Sequence, residues 1–252
     1  MIKLVVPGME AIFLHTCGCD PAGMRARGLF LSYGLKYPFC DYWIQWDEQG
    51  TCAGITRLDG SVTVCGMPPD MDELCAFLHA LGCRDIFIDA ATGKQFDFPI
   101  HSEGLVMRLS QPAGIRRDLN FNPPLGEIYT ILASGEKAVT LGEHDVWYAD
   151  VSHRIRHGTA SAVLLSVDEK PAACAMVLAQ DHETALLGGV AVLPEYRRQG
   201  LGSKVVSGLC YTLQKEQKEV ILCCDSSIKN FYEKLGFTVA GEWVLLNGNK
   251  YR

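Results

Sequence analysis

The residues best suited to chemistry stand together at positions 190–203, VAVLPEYRRQGLGS. An apolar run stops at Pro194, a turn carrying Arg197 and Arg198 follows, and Gly200 and Gly202 open what reads as a helix. A helix start leaves several backbone N–H groups without carbonyl partners, and its dipole favours negative charge there. Glycine adds no side chain to hold an anion off the backbone. Arg197, Arg198, Gln199, Gly200, Leu201, Gly202 and Ser203 therefore read as an anion cradle that a phosphate could approach. Taken alone, R-x-x-G-x-G is a short pattern, and it also fits an ordinary strand–helix turn with solvated arginines.

A second stretch lies about thirty residues on: Asn230, Phe231, Tyr232, Glu233, Lys234, Leu235, Gly236 and Phe237. Together, and in this order, the two stretches resemble the GNAT acetyltransferases. In that family a V-A-V-x-P-x-Y-R strand enters a pyrophosphate loop, and an F/L-Y-x-K-x-G-F motif follows. The likeness extends from Glu127 to about Tyr251. It implies that acetyl-CoA is the acyl donor and that no metal takes part. It also implies that the backbone of Val190, Ala191 and Val192 holds the pantetheine arm as a neighbouring strand would, while the loop holds the pyrophosphate. Tyr232 would protonate the departing thiolate, although a tyrosine here also reads as an amphipathic core residue. Such enzymes commonly carry Asn seven residues before that tyrosine, where this chain has Asp225. A carboxylate repels phosphate and lacks the amide donor, which leaves Asn230 as the nearby substitute.

The general base is less legible. An amine acceptor must lose a proton before it attacks the thioester. Ala185, Leu186, Leu187, Gly188 and Gly189 offer nothing ionisable, so the candidates are His182, Glu183 and Glu195, or a relay of water to bulk. On a helix over 145–157, Asp150, Arg154 and His157 share a face beside His153. That face either borders an anionic acceptor or, as we favour, complements the helix dipole ahead of Gly158.

The elements that must position these residues follow from pattern. Strands are predicted at 161–167, 172–179, 185–193, 220–224 and 237–245, with helices at 127–132, 145–157, 202–217 and 227–235. Upstream, strands at 41–49, 51–58, 61–65 and 86–90 surround a helix capped by Asp70 or Asp72. Its stripe is Leu74, Phe77, Leu78 and Leu81, with Gly82 as its stop. The fold class is thus α+β: a mixed, mostly antiparallel sheet flanked by helices, GNAT-like in the second half. Residues 118–126, DLNFNPPLG, read as a linker between a domain at 1–117 and the acetyltransferase domain at 127–252. The first domain lacks any R-x-x-G-x-G loop and reads as a degenerate relative of the second.

Composition narrows the function. The 252 residues are 48% hydrophobic and 21% charged, with a net charge of -6, which argues against a nucleic-acid partner. No apolar window is long enough to span a membrane, no signal-peptide pattern opens the chain, and the expected address is the cytoplasm. The 11 cysteines fall mostly in apolar stretches and read as reduced core thiols, and His15, Cys17 and Cys19 lack the second ligand pair of a zinc site. The expected reaction is acetyl transfer to a primary amine on a small molecule or peptide. The N-terminal domain is expected either to close the acceptor groove or to form a homodimer interface. The rival reading is a CoA- or acyl-CoA-binding regulatory or interaction protein that keeps the GNAT fold without turnover.

Overall fold

The computed structural model describes residues 1–112, 114, 118–135 and 141–248. Arg117, the expected domain boundary, and Tyr251, the expected end of the GNAT likeness, lie outside them. The chain divides into two compact units. One comprises residues 1–106, 223–226 and 239–252, and the other 107–222 and 227–238.

In the first unit, β1 (Ile2–Leu4) precedes α1 (Glu10–Cys17) and α2 (Pro21–Tyr33). Asp20 caps α2, its carboxylate accepting from the N–H of Ala22 and Gly23 at 2.9 and 3.0 Å. Pro21 takes the first helical position, where a missing N–H costs nothing. The two helices meet so closely that a Cβ on Gly23 would lie 1.6 Å from the carbonyl oxygen of Cys17. We expect Gly23→Ala to cost roughly 3 kcal/mol, the upper range for overpacking. The readout is a lower urea midpoint at unchanged slope, and an unchanged midpoint would refute the close approach.

Strands β2 (Cys40–Trp46), β3 (Cys52–Leu58), β4 (Ser61–Gly66) and β5 (Asp85–Asp89) extend the sheet from β1 in sequence order. All neighbours are antiparallel except β4 and β5, which run parallel across the connecting helix α3 (Met71–Leu81). On one face Phe13, Phe30 and Tyr42 pack with ring centroids 4.9–5.2 Å apart. On the other, Leu74 and Leu78 of α3 are buried with Ile86, Ile88, Phe96 and Phe98. A short helix α4 (Ala90–Gly93) and strand β6 (Ile100–Leu109) follow. The unit is closed by the far end of the sequence: within β12 (Phe237–Asn247), Trp243 to Asn247 pair antiparallel with Asp89 to Asp85. Val244 and Leu246 of β12 enter the same core.

The second unit contains β7 (Leu119–Asn120), α5 (Leu125–Ala133), α6 (His144–Arg156), β8 (Ser161–Val167), β9 (Lys170–Gln180) and β10 (Thr184–Val192). It continues with α7 (Leu201–Lys215), β11 (Glu219–Cys224) and α8 (Lys229–Glu233). The expected linker 118–126 thus carries β7 and the start of α5. A two-residue turn joins β8 to β9, with Asp168 and Glu169 both left-handed at φ 48° and 62°, the twist a tight hairpin requires. Ile128, Ile131 and Val151 from the helices meet Leu164, Cys174 and Met176 from the sheet. Val205, Val206, Leu209 and Leu213 of α7 are buried as well. The 11 cysteines are all free, and burial pushes Cys174 and Cys210 up to about 12.

The order of elements is the same in both units: a short strand, two helices, three antiparallel strands, a crossover helix and a parallel strand. Expected strand bounds hold to within a few residues. The helix expected over 227–235 is instead a 3-10 turn, Ser226–Ile228, leading into the single-turn α8. β1, α1, α2, α4, β6 and β7 are additions to the elements that pattern alone predicts.

Candidate functional site

The phosphate-loop residues lie between β10 and α7. β10 pairs in parallel with β11 only over 184–187, opposite 219–222. From Gly188 onward it keeps β9 alone as partner, Gly188 opposite Met176 and Val192 opposite Ala173. The register shifts between Gly188 and Ala191, and Gly189 turns left-handed at φ 55°. A Cβ on Gly188 would meet Leu178 Cδ1 at 2.4 Å, so the bulge requires small residues there. The strand edge at Val190, Ala191 and Val192 is half-buried. It faces away from β9 past the last β11 pairing, so its amide groups can take an extended amide-bearing ligand as one more strand. The amino-acid pattern predicts nothing chemical at the bulge. Its visible signal is the Gly188-Gly189 pair inside an apolar strand.

Beyond Val192 the chain makes a 3-10 turn at Pro194–Tyr196, and α7 starts after Gly200. Arg198 at φ 61° and Gly200 at φ 76° are both left-handed. For a non-glycine residue such as Arg198 that conformation costs on the order of 1 kcal/mol and concentrates at functional turns. The first bond closing α7 runs from Lys204 N–H to the carbonyl of Gly200, at 3.0 Å. Among the described residues, none accepts a hydrogen bond from the backbone N–H of Arg198, Gln199, Gly200, Leu201, Gly202 or Ser203. Such a row of free donors at a helix start has the geometry to take an anion. The arginines divide the work. Both are exposed, but Arg197 Nε reaches back to the carbonyl of Val192 at 3.3 Å and braces the loop. The side-chain amide of Gln199 donates to the carbonyl of Glu195 at 3.3 Å.

The two motifs converge at Gly202. A Cβ built there would lie 3.5 Å from Val192 Cγ2 and 3.6 Å from Phe231 Cζ, ordinary contact distances. α8 therefore packs on the start of α7, and Tyr232 follows directly. Tyr232 is 5% exposed, its ring edge-on to Phe231 at 4.9 Å and to Phe237 at 5.7 Å. Both the core role and the catalytic role expected for it are compatible with that setting. Asn230 is exposed at the start of α8. Asp225 falls in the segment that groups with the first unit.

His182 and Glu183 sit in the turn before β10, paired at 3.5 Å with side chains 82% and 65% exposed. A strand rises about 3.3 Å per residue, so the length of β10 separates them from the loop. Glu195 is exposed on the 3-10 turn. On α6, Arg154 pairs with Asp150 and donates to the carbonyl of Leu178 at 3.0 Å, so this guanidinium ties the helix to β9. His157 caps the helix and its Nδ1 lies 2.9 Å from the carbonyl of His153.

In the first unit the equivalent β4–α3 connection has Pro68 and Pro69, which lack N–H groups. The carboxylate of Asp70 occupies the helix start, accepting from Glu73 N–H at 2.9 Å. A phosphate there would meet that carboxylate.

Residues 159–239 match the family described as acetyltransferase (GNAT) domain. The chain is similar in structure to a tandem GNAT protein from the clavulanic acid biosynthesis pathway, at 12% identity and a TM-score of 0.62. That match covers 100% of this chain and 99% of the other. A GNAT-family acetyltransferase from Colwellia psychrerythraea gives 14% identity, a TM-score of 0.60, and coverage of 98% and 99%. For the GCN5-related N-acetyltransferase from Sphaerobacter thermophilus the values are 14%, 0.58, and 97% and 94%. No curated protein sequence matches the chain significantly. Likeness at this level of identity establishes fold, and the family match carries the motif-bearing segment. Residues 159–239 thus match the GNAT acetyltransferase domain family, in a chain whose two units share the GNAT-like fold.

Proposed function

We propose that the chain transfers an acetyl group from acetyl-CoA to a primary amine. The observation that carries this reading is the run of six free N–H donors, Arg198 to Ser203, directly continuous with the unpaired edge of β10. A pyrophosphate joined to an amide-bearing arm and a thioester fits that succession: charge at the helix start, amides along the strand. The amine attacks the thioester carbonyl to give a tetrahedral intermediate. As the C–S bond breaks, the Tyr232 hydroxyl gives its proton to the leaving thiolate, and the ammonium proton leaves through water.

Direct transfer is favoured over an acyl-enzyme. Cys174, whose Sγ lies 3.6 Å from the carbonyl of Gly189, is fully buried, and burial pushes its thiol up to about 12. At neutral pH it is a neutral thiol and a poor nucleophile.

Calorimetry with acetyl-CoA should return one equivalent per chain, because the β4–α3 turn carries two prolines without N–H groups and the capping carboxylate of Asp70 where a phosphate would have to sit. A second equivalent would overturn the assignment of binding to the second unit. Incubation with acetyl-CoA and a panel of primary amines should release free thiol continuously. Binding without thiol release from any amine would make the chain a CoA-binding protein instead.

A further inference from the structure

Among the described residues, one group of three metal-ligating side chains comes together, in the first unit and outside the acyl-transfer site: Cys75, His79 and Asp97. Their ligand atoms all lie within 4.8 Å of one another. Cys75 and His79 are four residues apart on α3 and so share a face. Asp97 reaches them from the segment between α4 and β6.

The arrangement is anchored from both sides. Leu74 and Leu78 flank the helical pair, Phe96 and Phe98 flank Asp97, and all four are buried in one core. The imidazole of His79 stacks on Phe98 with ring centroids 4.2 Å apart, which fixes the plane of the ring. Asp97 Oδ1 accepts from Cys75 Sγ at 3.3 Å and lies 3.0 Å from His79 Nε2. The three groups thus converge without a catalytic order. The carboxylate stands between thiol and imidazole, so no histidine is placed to take the thiol proton as a cysteine nucleophile would need.

We propose that Cys75, His79 and Asp97 bind a Zn²⁺ ion, with water in the fourth position. One sulfur, one imidazole nitrogen and one carboxylate oxygen match the borderline-soft, tetrahedral preference of zinc and disfavour Mg²⁺ or Ca²⁺, which take oxygen. Bond lengths of about 2.0–2.3 Å set ligand atoms about 3.5 Å apart in a tetrahedron. The hydrogen-bonded atoms at 3.0 and 3.3 Å need move only a few tenths of an ångström to reach that spacing. On binding, the Cys75 S–H bond breaks, the sulfur–zinc bond forms and one proton passes to solvent. The bound ion ties α3 to the segment leading into β6.

The test uses the full chain with ZnCl₂, and CoCl₂ as a spectroscopic substitute. Equilibrium dialysis should give one Zn²⁺ per chain, and Co²⁺ should show a tetrahedral visible spectrum with a thiolate charge-transfer band. Cys75→Ser should abolish that band, while Cys19→Ser, at an exposed thiol remote from the cluster in sequence, should leave it unchanged. Asp97→Asn, at a side chain 61% exposed and safe for folding, should weaken zinc at least tenfold. No metal uptake by the wild type, a band surviving Cys75→Ser, or unchanged affinity in Asp97→Asn would each overturn the proposal.

Discussion

Tyr232→Phe is expected to lower kcat by about 10²-fold while leaving the Kd for acetyl-CoA within a factor of about two. A phenol with an ordinary pKa near ~10 is protonated at neutral pH and suited to a thiolate leaving group. The substitution removes one oxygen and keeps the ring wedged edge-on between Phe231 and Phe237, so the fold is spared. Steady-state turnover with an accepted amine, alongside calorimetry, separates the outcomes. A rate within about threefold of wild type would eliminate the general-acid role. Loss of binding at normal turnover would make the hydroxyl a cofactor contact.

Substitutions at Gly202 should divide by size. A single methyl meets Val192 and Phe231 at 3.5 and 3.6 Å, so Gly202→Ala fits and should change acetyl-CoA affinity by less than about threefold. Gly202→Val adds two methyls. They must either wedge α8 off α7 or project into the row of free N–H groups, and affinity should fall at least tenfold, about 1.4 kcal/mol. Far-ultraviolet circular dichroism checks that the variant is folded. Equal affinities for the two variants would remove Gly202 from the pyrophosphate cradle.

The cradle is legible in the amino-acid sequence because its chemistry is local. Proline ends a strand, glycines open a helix and an N–H row follows from backbone connectivity alone. The strands on either side are legible for a similar reason, since alternation and short apolar runs are properties of a few neighbouring residues. The first-unit helices are not. α1 is a short helix on which Phe13 is fully buried and Ile12 is 56% exposed, and its apolar residues do not mark out a clean stripe. α2 carries Gly23 and Gly28 in its interior, residues that weigh against a helix. Gly23 is there because the carbonyl of Cys17 leaves no room for a Cβ, a tertiary reason that no window of sequence contains. The bulge at Gly188 and Gly189 is visible as letters but not as geometry, because its meaning depends on the pairing of β10 with β11 ending at Leu187. The Cys75–His79–Asp97 group is hidden for the same reason: its third member comes from another part of the chain.

β12 sets the order in which the molecule can be completed. Synthesis delivers β5 long before Trp243 to Asn247, the residues that pair with it and supply Val244 and Leu246 to its core. A nascent chain therefore carries an open, apolar β5 edge while every element of the second unit is being made, a state in which exposed strands invite wrong partners. Asp85 and Asp89 at the two ends of β5 place charge on that waiting edge, the device by which natural sheets discourage intermolecular pairing. The unit whose residues are translated first is thus the one whose sheet is finished last.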